Sequence, residues 1–317
     1  MRIKQLLIAV GVGTMLAACS SREDYNFGGD RLPVKINASI KGMKTRSTDE
    51  TQIQNTAFVD GAMINVYAEH PQGGSDAPAP GLPESGWAVF TLHDTSWGTT
   101  TPFTDLGDRK LDVIALYPSR DASDNLITMS TTTFQVQHDQ TLDKDYRMSD
   151  LMLASGGFSD TTNPINLEFE HFFSKITVIL LESEDYSISD LKTNITDVKV
   201  SADLKATVNI GWSGIEVTET SYSGPGEISL NGSNEKLCST GVSCIIPPQN
   251  VTGDFITIYD KNKKSFTYNA PAEGFTFAPK HEYIFKLKLH KTDVELDQVT
   301  IDGWTSDPDD QKTGDAE

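Results

Sequence analysis

The sequence of 317 residues has few basic side chains: 26 lysines and arginines stand against 45 aspartates and glutamates, which gives a formal net charge of −19. No segment concentrates lysine and arginine into a basic patch. An acidic surface repels the phosphates of nucleic acids, so the composition excludes DNA or RNA as a partner. The acidic residues are spread along the chain, which predicts a solvated surface.

Long apolar runs are also missing after the N-terminus. The one apolar segment near the start, Leu6 to Leu16, is shorter than the roughly 17 residues that a membrane-spanning helix requires. No later segment is apolar for long enough to cross a bilayer.

Catalytic and ligand-binding signatures are absent as well. The sequence contains no GxSxG nucleophile elbow, no GxxxxGK[ST] phosphate loop and no GxGxxG motif after a strand. The six histidines show no HExxH or comparable ligand spacing, so neither a metal site nor a cofactor is predicted. These absences favour a protein that is not an enzyme.

The N-terminus carries an export signal. Arg2 and Lys4 precede the apolar run, and the small-residue sequence Leu16-Ala-Ala-Cys19 follows it. This order is typical of a bacterial lipoprotein signal peptide, cut before a cysteine that becomes lipidated. We therefore predict a signal peptide over residues 1–18 and a lipid on Cys19 that anchors the precursor in the outer membrane, exposed at the surface. A transmembrane anchor, or a secreted protein with a chance cysteine, is the alternative.

Cys19 leaves two other cysteines, Cys238 and Cys244, separated by five residues. Outside the cytoplasm such a pair is expected to form a disulfide that closes a small loop. Two free thiols, or half of a metal site, are the alternatives.

Apolar and polar residues alternate in many short segments that are divided by Gly, Pro, Asn, Asp and Ser. This period of two predicts half-buried strands, and clear examples are Val34 to Ile40, Ala62 to Tyr67, Leu111 to Tyr117, Phe255 to Tyr259 and Tyr283 to Leu289. A longer apolar segment runs from Phe169 to Leu181. The pattern predicts an all-β fold, and the length predicts two antiparallel β-sandwich domains in tandem.

Composition divides the rest of the chain into four parts. We predict a flexible tether over residues 19–31, an N-terminal β-sandwich over 32–164, a C-terminal β-sandwich over 165–305 and a polar, disordered tail over 306–317. The domain boundary is placed at the small, polar residues Thr161 to Pro164.

The segment from Leu32 to Arg46 suggests a mechanism. Its strand places Val34, Ile36, Ala38 and Ile40 on one face, and a basic, glycine-containing link then ends at Arg46-Ser47. Such a link is accessible to a trypsin-like protease. Cutting there would release the first strand, and a strand from another subunit could then refill the groove. The alternative is an ordinary first strand followed by a basic loop.

At this point the chain resembles the fimbrillin family of Bacteroidota, the pilins that are exported as lipoproteins. The motifs that carry the resemblance are the lipobox at Cys19, the strand before Thr45-Arg-Ser47, Tyr117-Pro118, Asp150-Leu-Met-Leu-Ala154, Leu167-Glu-Phe-Glu-His-Phe-Phe-Ser-Lys-Ile-Thr-Val178, Ile246-Pro-Pro-Gln249, Phe277-Ala-Pro-Lys-His-Glu-Tyr283 and Val299-Thr-Ile-Asp-Gly-Trp304. The resemblance covers nearly the whole chain, and the block from Asp150 to Val178 is its most specific part.

The resemblance implies two transthyretin-like sandwiches, cleavage after Arg46 and polymerisation with other fimbrial subunits by strand exchange. It also implies that stalk subunits donate a C-terminal strand. The only candidate here is the segment Val294 to Trp304, with Val294, Leu296, Val299 and Ile301 as its apolar side chains. If this segment extends away, the protein is a stalk subunit; if it packs in its own second domain, the protein is a tip or accessory subunit.

A surface lipoprotein that binds a glycan or host ligand, without forming a stalk, is the alternative function. The aromatic candidates for stacking on a sugar are Trp87, Trp97, Trp212 and Trp304.

Overall fold

The computed structural model describes residues 33–41, 57–69, 86–102, 111–121, 124–158, 164–220 and 226–304, with the side chains of 219 and 220 excepted. In chain order its strands are β1 (Ile36–Ile40), β2 (Met63–Glu69), β3 (Trp87–His93), β4 (Ser96–Gly98), β5 (Leu111–Tyr117), β6 (Thr131–Gln135), β7 (Met152–Phe158), β8 (Ile165–His171), β9 (Ser174–Leu181), β10 (Ile195–Ala202), β11 (Lys205–Gly211), β12 (Gly214–Thr220), β13 (Gly226–Ser229), β14 (Val242–Ile246), β15 (Gln249–Asp260), β16 (Ser265–Phe277), β17 (His281–Leu289) and β18 (Val294–Gly303). The helices are α1 (Asp143–Met148), α2 (Ile188–Asn194) and α3 (Asn234–Leu237). The all-β prediction is confirmed.

The first part of the fold is one sheet of seven strands in the order β1-β8-β7-β5-β2-β3-β4. All its neighbours are antiparallel except β1 and β8. The two edge strands, β1 and β4, contact each other, so the sheet curls around a core of its own. This first core is made of apolar side chains from one face of the strands, including Ile64, Val66, Phe90, Val113 and Phe169.

The second part consists of three smaller sheets, ordered β13-β10-β15-β16, β12-β11-β6 and β14-β9-β17-β18. Their apolar faces share a second core, which contains large buried side chains such as Phe173, Phe255 and Phe285. The outer face of the first sheet also contributes to this core through Trp87 and Ile114. The sequence predicted two sandwich domains, and the structure has two hydrophobic cores.

Strand pairing crosses the boundary that the sequence predicts after residue 164. Strand β8 begins at Ile165 yet pairs with β7 and β1 in the first sheet, and β6, which precedes the boundary, pairs with β11 in the second part. The long apolar segment Phe169 to Leu181 therefore spans two strands, β8 and β9, that belong to different sheets. Turn residues such as those from Thr161 to Pro164 mark a connection within a sheet as readily as a boundary between domains.

The predicted disulfide is not present in the structure, where Cys238 and Cys244 are free cysteines. Cys238 caps the C-terminus of α3 and is half-buried, whereas Cys244 is fully buried in β14 opposite Ile176. Burial raises the pKa of both thiols, that of Cys244 most strongly. The side chain of Cys244 serves as part of the second core.

No helix within the described ranges is both long enough and apolar enough to cross a membrane.

Candidate functional site: the first strand and its groove

Strand β1 has the burial pattern that its sequence predicts. Val34, Ile36 and Ile40 are buried and Ala38 is half-buried against the first core, while the intervening side chains from Lys35 to Ser39 are exposed. Burial of an aliphatic side chain of this size stabilises the folded protein by about 1.5–3 kcal/mol. The three large side chains of β1 therefore contribute substantially to the stability of the uncut protein.

Among the strands that the structure describes, one pairs with the backbone of β1. Its residues from Ile36 to Ile40 lie in parallel register with Ile165 to Phe169 of β8, and β1 is the last strand of the sheet. The amide of Ile165 donates to the Lys35 carbonyl at 2.8 Å, and the amide of Lys41 donates to the Phe169 carbonyl at 2.7 Å. If β1 left the sheet, its hydrogen bonds to β8 would be broken.

Aromatic rings line the groove at the C-terminal end of β1, where Ile40 lies opposite Phe169 in register. The ring of Phe58 packs against the rings of Phe169, Tyr117 and Trp97, with centroid distances of 5.2, 5.3 and 5.3 Å. Trp97 belongs to β4, the strand that contacts β1 across the curled sheet. Without β1 this end of the core would be open to water.

A charged cluster follows directly after β1. Glu170 of β8 accepts a hydrogen bond from Lys41 Nζ at 2.9 Å and another from Lys280 Nζ at 2.7 Å. The two ammonium groups, Lys280 first, lower the pKa of the Glu170 carboxyl. One acidic side chain thus joins the end of β1 to the turn before β17, a contact that no motif in the sequence indicates.

Strand β18 contains the candidate donor residues, and it lies in its own sheet. It pairs antiparallel with β17 from Val294 opposite Leu289 to Gly303 opposite His281. Val294, Leu296, Val299 and Ile301 are half-buried and pack against the second core. Of the two places that the sequence left open for this segment, the structure has it packed in the second domain.

A buried cluster of three side chains holds the end of β18 against β8. Each of the three belongs to a motif that carries the family resemblance, but their contact was not predicted from the sequence. The indole of Trp304 stacks on the imidazole of His171 at 3.9 Å with an interplanar angle of 3°. His171 Nδ1 lies 3.0 Å from both carboxylate oxygens of Asp150, and both side chains are fully buried. The three residues are far apart in sequence, so only the fold brings them together.

Most of the tryptophans that are candidates for stacking on a sugar are buried or half-buried. Trp87 is buried against Tyr67, Trp97 is half-buried beside Phe58, and Trp304 is buried on His171. Among the large apolar side chains, Trp212 is 37% exposed, and its ring lies 6.0 Å from that of Tyr67. Trp87 and Trp97 therefore act as core side chains.

Three predicted site residues lie outside the described residues: Cys19, Arg46 and Ser47. The signal peptide over 1–18, the tether over 19–31 and the tail over 306–317 do so as well. Within the described ranges, no three His, Cys, Asp or Glu side chains are grouped so that they could hold a metal ion.

Comparison with known proteins identifies the family. A family model described as fimbrillin-like matches residues 45–304. The search for curated relatives gave no match. The fold is similar to the solved structure of a candidate cell adhesion protein from Bacteroides uniformis, with a TM-score of 0.60, 18% identity and coverage of 87% of this chain and 98% of the other. It is also similar to a candidate cell adhesion protein from Bacteroides ovatus, with a TM-score of 0.63, 14% identity and coverage of 87% and 99%.

At these identities the structural likeness supports the fold, whereas the family model covers most of the chain. The chain therefore belongs to the fimbrillin-like family and has a fimbrial or adhesive role at the cell surface.

Proposed function

We propose that this protein is a structural subunit of a fimbria, and not an enzyme, whose first strand is a removable plug. The subunit is exported as a lipoprotein through Cys19 and reaches the surface of the outer membrane. A trypsin-like protease then cuts after Arg46, β1 leaves with the lipid, and a strand from another fimbrial subunit takes its place.

The observation that carries this proposal is the combination of core filling and single pairing in β1. Its apolar face completes the first core, yet of the described strands only β8 pairs with it, and a Lys-Thr-Arg sequence follows four residues after Ile40. While the chain is intact, β1 occupies its groove as part of the same molecule, which suppresses premature assembly. After the cut, an incoming strand can compete for the same ladder and the same apolar contacts.

The position of β18 supports a donor strand that comes from a different subunit. Donating β18 would break its ladder with β17 and expose side chains that pack on the second core. The chain is therefore an acceptor, and its donor comes from a different subunit. An acceptor that does not donate belongs at the tip of a fimbria or in an accessory position.

The test compares Arg46→Ala with Lys44→Ala in the bacterium that makes the fimbriae. In the parent and in Lys44→Ala, we expect subunits sheared from the cells to begin at Ser47 and to co-purify with other fimbrial subunits. In Arg46→Ala the protein should stay with the membrane fraction and keep residues 19–46. Mass spectrometry of the N-terminus and of the co-purifying subunits reads both outcomes. Incorporation of Arg46→Ala into sheared fimbriae at the parent's level would refute the mechanism.

A further inference from the structure

A second groove lies at the end of the first sheet where β5 finishes, and nothing in the proposed function uses it. Its volume is about 400 Å³, which is within the range of roughly 300–1,000 Å³ typical of binding sites. Buried Ala62, Tyr117 and Pro118 form part of its lining. Val59 and Met63 also line it and are unusually exposed for apolar residues, at 37% and 42%.

Three cations line the groove, although the protein as a whole is strongly acidic: Arg120, Lys144 and Arg147. Lys144 and Arg147 are three residues apart on α1, a spacing that places them on one side of the helix. In the described part of the chain, neither forms an ion pair. Arg120 is in contact with Asp124, whose carboxylate lies 3.7 Å from its Nε. Two acidic side chains, Asp60 and Asp124, also line the groove, and Asp60 accepts a hydrogen bond from the amide of Asp94. The groove thus carries three basic and two acidic groups beside apolar surface.

The last described residue of the chain, Trp304, lies at the same end of the sheet. Tyr117 pairs with Met152, Met152 pairs with His171, and the indole of Trp304 stacks on the ring of His171. Neighbouring strands are about 4.8 Å apart, so Tyr117 and His171 are separated by roughly 10 Å. The backbone also links the two places, because Asp150, the partner of His171, donates its amide to the carbonyl of Arg147 at 3.2 Å.

The tail that follows is opposite in charge to the basic side chains of the groove. Residues 306–317 contain four aspartates and one glutamate (Asp307, Asp309, Asp310, Asp315 and Glu317) against the single basic residue Lys312. Twelve residues span up to roughly 40 Å when extended, which is several times the distance across the row of paired strands.

We propose that the acidic tail, Ser306 to Glu317, binds in this groove of its own chain, with its carboxylates on Arg147 and Lys144. Arginine binds carboxylates with two parallel hydrogen bonds, and the apolar surface of Val59 and Met63 would be covered by the tail backbone. The covalent connection favours the chain's own tail over a second copy, because tethering gives the tail a millimolar effective concentration. This inference goes beyond the role in strand exchange, since no residue of β1 lines the groove.

The test uses protein that starts at Ser20 and ends either at Thr305 or at Glu317. A fluorescein-labelled peptide of residues 306–317 is titrated into each, and binding is followed by fluorescence anisotropy. The protein that ends at Thr305 should bind the peptide, with an affinity that falls as salt is added. The protein that ends at Glu317 should bind at least about tenfold more weakly, because its own tail competes.

Three charge reversals identify the groove. Arg147→Glu and Lys144→Glu should each weaken binding by about tenfold or more, whereas Lys261→Glu, on the exposed turn after β15, should leave it unchanged. Thermal melting checks that each variant is folded, and Lys144, which is exposed, remains informative if Arg147→Glu does not fold.

Equal binding by Lys144→Glu and Lys261→Glu would overturn the proposal, and so would equal binding by the two chain lengths. Binding of the acidic polysaccharide polygalacturonate, but not of the peptide, would assign the groove to an anionic glycan instead. A dimer of the longer protein that is lost in Lys144→Glu would assign it to the tail of a second copy.

Discussion

At the scale of single residues, Cys238 and Cys244 show how environment overrides proximity in sequence. Only five residues separate them, but one caps a short helix and the other packs in the second core from a central position of β14. The same core burial that raises the pKa of the Cys244 thiol also removes it from solvent, so it is unreactive while the protein is folded.

We therefore predict the thiol count of protein that starts at Ser20, purified without reductant. In the native state an aromatic disulfide reagent should titrate Cys238 slowly and leave Cys244 unmodified, because only Cys238 is partly accessible. In denaturant both thiols should react at once. Cys238→Ala provides the control, with no native thiol and one in denaturant. No reactive thiol in either state of the parent would indicate that the disulfide forms after all.

At the scale of secondary structure elements, β1 depends on its apolar face far more than on its exposed one. Ile36 and Ser39 are three residues apart on the same strand, with Ile36 in the core and Ser39 exposed. Both residues are paired with β8, opposite Ile165 and Glu168. Comparing them separates core filling from the backbone ladder.

For the uncut protein we predict that Ile36→Asn lowers the free energy of unfolding by about 3–5 kcal/mol, because it removes a buried side chain and buries an amide. Ser39→Asn, which introduces the same amide on the exposed face, should change it by no more than about 0.5 kcal/mol. Urea denaturation followed by circular dichroism measures both. Similar losses for the two variants would mean that the apolar face of β1 does not hold it in its groove.

At the scale of the whole molecule, the two parts of the fold differ in their edge strands β1 and β18. In the first sheet the edge strand β1 is followed in the sequence by the proposed cleavage site, whereas in the second part the edge strand β18 is longer, pairs with β17 and is held at its end by the stacked Trp304 and His171. In the proposed function, the first of these edges is the one at which another subunit assembles.

We accordingly predict that protein cut after Arg46 and freed of β1 does not polymerise by itself. It should remain monomeric in light scattering, and a synthetic peptide of residues 32–41 should bind to it with one-to-one stoichiometry, because the peptide restores the ladder with β8. The peptide with Ile36→Asn should bind more weakly by at least about tenfold. Long fibres of the cut protein alone, seen by electron microscopy, would show that β18 or another segment leaves its sheet and is donated.

The sequence alone determined what depends on local periodicity and short motifs. The alternation of apolar residues in β1 predicted its buried face at Val34, Ile36 and Ile40, and the other clear alternating segments coincide with β2, β5, β15 and β17. An alternating pattern is local, since each residue's side of the strand follows from its neighbours. The same holds for the motifs that suggested the family.

Only the tertiary structure decided which strands pair. A strand's backbone donors and acceptors are the same for every partner, so the sequence could not tell that β8 completes the first sheet or that β18 remains with β17. It could not bring Asp150, His171 and Trp304 into one buried cluster, or place Lys144 and Arg147 near the end of β18, because these contacts join distant parts of the chain. The apolar face of β1 could therefore be predicted from the sequence, whereas the pairing of β18 with β17 became apparent only in the fold.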